Sequence, residues 1–168
     1  MQMFHKKGQG ATEYLVLLAV VLIVAMVAIA LLGFFPGLAG DAKIAQSDAY
    51  WRGTSRPFAI LEHSMSSSSS NLTLVIQNVD ADQREITQLS MGGSGLSGTS
   101  NSSDPASDFY STSKRFFSSG EKKTIYMDMG ANCTSGNSYE LYVNFTYNTG
   151  SITGLKQFGE KTLVGRCN

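Results

Sequence analysis

The chain has few of the side chains that carry catalysis. Its 168 residues include two histidines and two cysteines. His63 is the one histidine beyond the N-terminal stretch, and neither Cys133 nor Cys167 has companion ligands at metal-site spacing. Lys+Arg and Asp+Glu are equal at 13 each, so no basic bias points to nucleic acid. Gly92-Gly93-Ser94-Gly95 is followed by no Lys-Ser/Thr pair, which excludes a phosphate-binding loop. Asp80-Ala81-Asp82 with Glu85 lacks the spacing and the glycine of an EF-hand and reads as a turn with solvated acids. Cys133 with His63 could be cast as a thiol–imidazole pair, but a disulfide accounts for Cys133 better. His63 alone reads as a surface or loop residue. The expectation is a protein without catalytic residues, cofactor or bound metal, and not an enzyme.

A second absence concerns charge. None occurs between Glu13 and Asp41. The run from Leu15 to Phe35 is filled by Leu, Val, Ile and Ala on every face, without the polar stripe of a water-soluble helix. Its length is about the 20 residues that cross a bilayer. Lys6 and Lys7 precede it, so the positive-inside rule puts the N-terminus in the cytoplasm and the chain beyond Asp41 outside. Glu13, at the edge of this run, is the odd residue. An ionisable group at membrane depth costs about 2.5–3.5 kcal/mol on insertion scales and usually marks function. An ordinary secretory signal peptide has a small-residue site available at Gly37-Leu38-Ala39, but its apolar region would run only about 7–15 residues. An uncleaved membrane anchor is the other plain reading.

Lys6-Lys7-Gly8-Gln9-Gly10-Ala11-Thr12-Glu13-Tyr14, continued by the apolar run as far as Phe35, resembles the class III signal peptide of archaeal type IV pilin-like proteins. The resemblance implies cleavage by a prepilin peptidase between Gly8 and Gln9, on the cytoplasmic side of the helix. The helix is then retained, with Gln9 as the new N-terminus. It also implies as partners the pilus assembly machinery (platform protein and ATPase), copies of itself or other pilins, and the membrane. The precursor would sit in the cytoplasmic membrane and the product on the cell surface or in an extracellular filament.

The physical chemistry suits this processing. Gly8 has no side chain to obstruct a tight peptidase site. Lys6 and Lys7 hold the site at the anionic membrane surface, and cleavage removes both charges. In a staggered bundle of helices, Glu13 of one subunit can meet the Gln9 ammonium of another. An unpaired buried charge is costly and a paired one tolerable, so the pair favours one register and assigns assembly to Gln9 and Glu13.

The fold class expected is α+β: a long N-terminal hydrophobic helix, then a mainly antiparallel β head built as a small sandwich or sheet. The boundaries are residues 1–8 for the signal peptide, 9–35 for the helix, 36–56 for a kinked connector with an amphipathic outer helix, and 57–168 for the head. Pro36 should kink or end the first helix near Phe35. Helix should resume over Asp41 to Trp51, capped by Asp41, with Ala42, Ala45 and Ala49 on one face and Ile44 and Trp51 packing nearby. Strands are expected at Leu72–Gln77, Glu85–Met91, Lys123–Met129 and Tyr139–Tyr147, with one or two more between Ile152 and Val164. In Tyr139–Tyr147 the apolar side chains alternate, so Tyr139, Leu141, Val143, Phe145 and Tyr147 share a buried face. The serine- and glycine-rich stretches Ser64–Ser70 and Gly92–Ser103 read as surface loops.

Cys133 and Cys167 both fall in the outer part, where an even pair reads as a disulfide. Asn71, Asn101, Asn132 and Asn144 each open an Asn-x-Ser/Thr sequon without an intervening proline, and are N-glycosylation candidates. Three functions stand: a structural subunit of a type IV pilus-like filament, a pilus-displayed head for adhesion or ligand binding, and a membrane-anchored ectodomain without a filament. The first is favoured because the residues around Gln9 and Glu13 serve assembly and are unnecessary for a simple anchor.

Overall fold

The computed structural model describes residues 9–95, 101–102 and 115–168. Lys6, Lys7 and Gly8 lie outside these, as does most of the stretch 96–114. The chain divides into two compact units, Met1–Asp41 and Ala42–Asn168.

Helix α1 runs from Gln9 to Ala49 and passes into a π-helical turn, Tyr50–Thr54. It continues through Pro36, where an end or kink was expected, and Asp41 is an interior residue rather than an N-cap. A proline inside a helix removes its own N–H from the ladder and crowds the carbonyl four residues back, a disturbance that membrane-type helices accommodate.

The second unit is a β-sandwich. Strands β1 (Phe58–Met65), β2 (Asn71–Asn78) and β6 (Lys122–Asp128) form one antiparallel sheet in the order β1-β2-β6. Strands β3 (Arg84–Ser94), β4 (Asn101–Ser102), β7 (Ser138–Thr149) and β8 (Ile152–Phe158) form the second, in the order β4-β3-β7-β8. Two further strands add to that sheet: β5 (Phe116–Phe117) pairs with β3, and β9 (Leu163–Arg166) with β7. The expected strands are present, and β7 alternates as its sequence demands: Tyr139, Leu141, Val143 and Phe145 are buried while Tyr142 is exposed. β1, β4 and β5 were not foreseen.

Two β-bulges set which side chains face inward. The β1–β2 register shifts between Ile60 and Glu62. Before the bulge Phe58 and Ile60 stand opposite Asn78 and Ile76; after it His63 and Met65 stand opposite Leu74 and Leu72. Without the extra residue, His63 would point away from the core. The shift between Ile86 and Gln88 in β3 does the same, keeping Leu89 and Met91 opposite the buried Phe145 and Val143 of β7 and Ile86 opposite the half-buried Tyr147. The inner faces meet in one cluster that includes Phe58, Ile76, Ile125, Leu141, Phe145 and, from the end of the helical segment, Trp51.

The disulfide is present. Cys133 and Cys167 are joined with their Cα atoms 5.8 Å apart across a separation of 34 residues. Cys167 follows β9 directly and bridges to Met65 of β1, so the bond fastens the end of the chain where the two sheets meet.

Candidate functional site

Two regions of the chain qualify: the N-terminal part of α1, and the place where the last turns of α1 join the head. In the first, Thr12–Gly33 forms a 22-residue stretch long and apolar enough to cross a membrane, none of it buried. Leu, Val and Ile side chains are exposed all round it. Gln9 is the first residue of α1, and Glu13, four residues later in the helix, is exposed. Among the described residues of this unit nothing covers the apolar surface, which suits lipid or other helices as its surroundings.

Residues 6–32 match the family model of the class III signal peptide. No curated protein matches the chain. The match spans the basic pair, the Gly8–Gln9 junction, Glu13 and most of the apolar run. The class III signal peptide therefore coincides with the beginning of α1, and the helix that follows the junction continues as part of the fold.

The second region is built from polar contacts. Lys43 of α1 pairs with Glu140 of β7 at 2.7 Å, and Thr162 donates its hydroxyl to the other carboxylate oxygen at 2.8 Å. These two hydrogen bonds hold the Glu140 carboxyl below its ordinary range. Ser47 is buried and works along the free edge of β9. Its Oγ donates to the Thr162 carbonyl and accepts from the Val164 amide, each at 2.9 Å, in place of a neighbouring strand. Asp48 Oδ1 lies 3.4 Å from Nε2 of His63, whose Nδ1 is 2.7 Å from Tyr139 Oη. The bonds are mutually consistent for a neutral ring that donates from Nε2 to Asp48 and accepts the tyrosine hydroxyl at Nδ1. Burial is the main cause that pushes the His63 pKa below its ordinary value and the Tyr139 pKa above it.

Two glycines make this junction possible. A Cβ on Gly159 would come within 2.6 Å of the Trp51 ring, and one on Gly165 within 2.4 Å of Tyr139 Oη. Below Trp51, Gln157 clasps the entry to β1. Its Oε1 accepts the Phe58 amide at 3.0 Å, and its Nε2 donates to Ser55 Oγ and to the Phe58 carbonyl.

On the side that meets the head, Ile44 and Asp48 of α1 are half-buried, and Ser47 of α1 and Trp51 of the π-helical turn after it are buried. Ala42, Ala45 and Ala49, expected to share a packing face, are exposed. Two of the four docking residues are polar and satisfied by the head's backbone or by His63, a pairing that apolar periodicity does not register. His63, expected on the surface or in a loop, is instead a strand residue with its side chain only 10% exposed.

The remaining candidates are dispersed. Asn71 is exposed at the start of β2, Asn132 is exposed beside Cys133, and Asn144 is half-buried on the outer face of β7. Asn101 lies in β4, with its side chain outside the described residues. Asp80 and Asp82 flank Arg84, at 2.9 and 3.9 Å, and Glu85 faces Arg115 at 3.7 Å, so these acids serve ion pairs. Among the described residues, no three His, Cys, Asp or Glu side chains could hold a metal ion.

Proposed function

We propose that this chain is a structural subunit of a type IV pilus-like filament on the cell surface, cut by a prepilin peptidase between Gly8 and Gln9. It is not an enzyme in this reading. The observation that carries it is the coincidence of the class III signal peptide with α1. One helix supplies the processing junction and an uncovered apolar stretch, and its last turns belong to the head unit. A leader removed after Ala39 would discard that stretch, whereas cleavage before Gln9 keeps it for packing among subunits. The head is carried outside, and Glu13 meets the Gln9 ammonium of a neighbouring subunit. The assembly platform, its ATPase and other pilins are the partners this role requires.

The test is the N-terminal peptide, read by mass spectrometry from material sheared off the cell surface. A chain beginning at Gln9 is the expected result. A chain beginning at Met1 and confined to membranes would leave an anchored ectodomain, and a start near Gly40 would mean ordinary secretion.

A further inference from the structure

Among the described residues of the head, few large apolar side chains are exposed: Phe116, Tyr126, Tyr142, Ile152 and Phe158. Three of these five stand next to a sequon asparagine on the outer face of a sheet. Phe158 of β8 is directly opposite Asn144 of β7. Tyr142 is two residues before Asn144 on the same strand and therefore on the same face. On the other sheet, Tyr126 of β6 is opposite Thr73, the third residue of the Asn71 sequon, which places it diagonal to Asn71 itself. Tyr126 is 47% exposed, Tyr142 42% and Phe158 63%. Directly opposed side chains begin about 5 Å apart and diagonal ones about 7–8 Å apart, within reach of a group attached to the asparagine.

We propose that Asn144 and Asn71 carry N-linked glycans, and that the first sugars lie against these rings: on Tyr142 and Phe158 at Asn144, and on Tyr126 at Asn71. The donor is a lipid-phosphate-linked oligosaccharide. The asparagine Nδ2 forms a bond to the anomeric carbon, the bond from that carbon to the phosphate oxygen breaks, the lipid phosphate leaves with the electron pair, and a base takes one amide proton. The attached pyranose presents a face of C–H bonds whose weakly positive hydrogens match the negative face of an aromatic ring. Its hydroxyls stay in water. The rings lose exposed apolar surface to the sugar. Thr146, the sequon threonine of Asn144, is on the same outer face, so the whole acceptor motif is presented on one side of β7.

The inference requires the head to lie outside the cytoplasm, as in the function proposed above, and one digest of the native full-length protein reads both. Glycopeptide mass spectrometry should find sugar on Asn144 and Asn71. Bare asparagines on a chain that begins at Gln9 would overturn the glycans and leave the filament reading intact. Sugar on a chain that begins at Met1 would do the reverse. The ring contact is tested by Tyr142→Ser with Phe158→Ser in the full chain, purified from the native cells and from a host that does not glycosylate. The substitutions should lower the melting midpoint by several degrees in the glycosylated protein and leave it unchanged in the bare one. Equal shifts in both would overturn the packing.

Discussion

Tyr139 Oη and His63 Nδ1 are 2.7 Å apart, joining the inner face of β7 to the inner face of β1 beneath the end of α1. The bulge in β1 turns His63 inward, and Gly165 leaves the space in which the two rings meet. Asp48 faces the other nitrogen of the imidazole, and Arg52 lies beyond it, 3.8 Å from the same carboxylate.

This contact makes stability depend on pH. Burial lowers the folded-state pKa of His63 below its ordinary 6.5, against the opposing pull of Asp48. The unfolded chain therefore binds the proton more readily. The stabilisation is fully present above pH 6.5 and is lost as the pH falls from there through the lower folded value. Melting midpoints of the full chain measured from about pH 8 down to about pH 5 should fall more steeply for the wild type than for His63→Gln, which can still accept the Tyr139 hydroxyl. Identical slopes would show that His63 is not the titrating group.

Ser47→Ala should loosen the helix from the head. It leaves the Thr162 carbonyl and the Val164 amide on the edge of β9 without their partner. Orphaning buried polar groups costs about 1–3 kcal/mol. Chemical denaturation should read that loss, and hydrogen exchange at Val164 should accelerate. Unchanged exchange at Val164 would mean that the Ser47 contact is dispensable.

Gly159 and Gly165, the glycines packed against Trp51 and Tyr139, should be intolerant of even one methyl group. Gly165→Ala drives a Cβ into Tyr139, and Gly159→Ala drives one into Trp51. Overpacking of this kind costs about 1–3 kcal/mol. Gly53→Ala is the control, since a Cβ there meets nothing within 4 Å. If all three variants melt alike, the packing account fails.

Glu13→Ala tests assembly separately from folding. Glu13 is exposed and belongs to the unit that ends at Asp41, apart from the head core. The variant should reach the membrane and be cut before Gln9, yet enter filaments far less than the wild type. Subunit incorporation measured in sheared fractions would have to stay at the wild-type level to remove Glu13 from the assembly contact.

Patterns that repeat over many residues were legible before any coordinates. The uncharged run after Glu13 announces a helix that water cannot solvate, and residues 6–32 carry the pattern of a class III signal peptide. The alternation from Tyr139 to Tyr147 announces a strand with one face in a core, and the cysteine pair a disulfide. Each depends on local order or simple composition, so the sequence by itself determined them. Phe58–Met65 escaped notice because its bulge interrupts the alternation between Ile60 and Glu62, and a bulge exists only relative to the strand opposite. The docking face of α1 was hidden for a similar reason. Ser47 and Asp48 are polar, and their burial becomes favourable only when the β9 backbone and His63 arrive from residues far away in the chain. Register, bulges and the pairing of polar groups are relations between distant segments, and only the tertiary structure decided them.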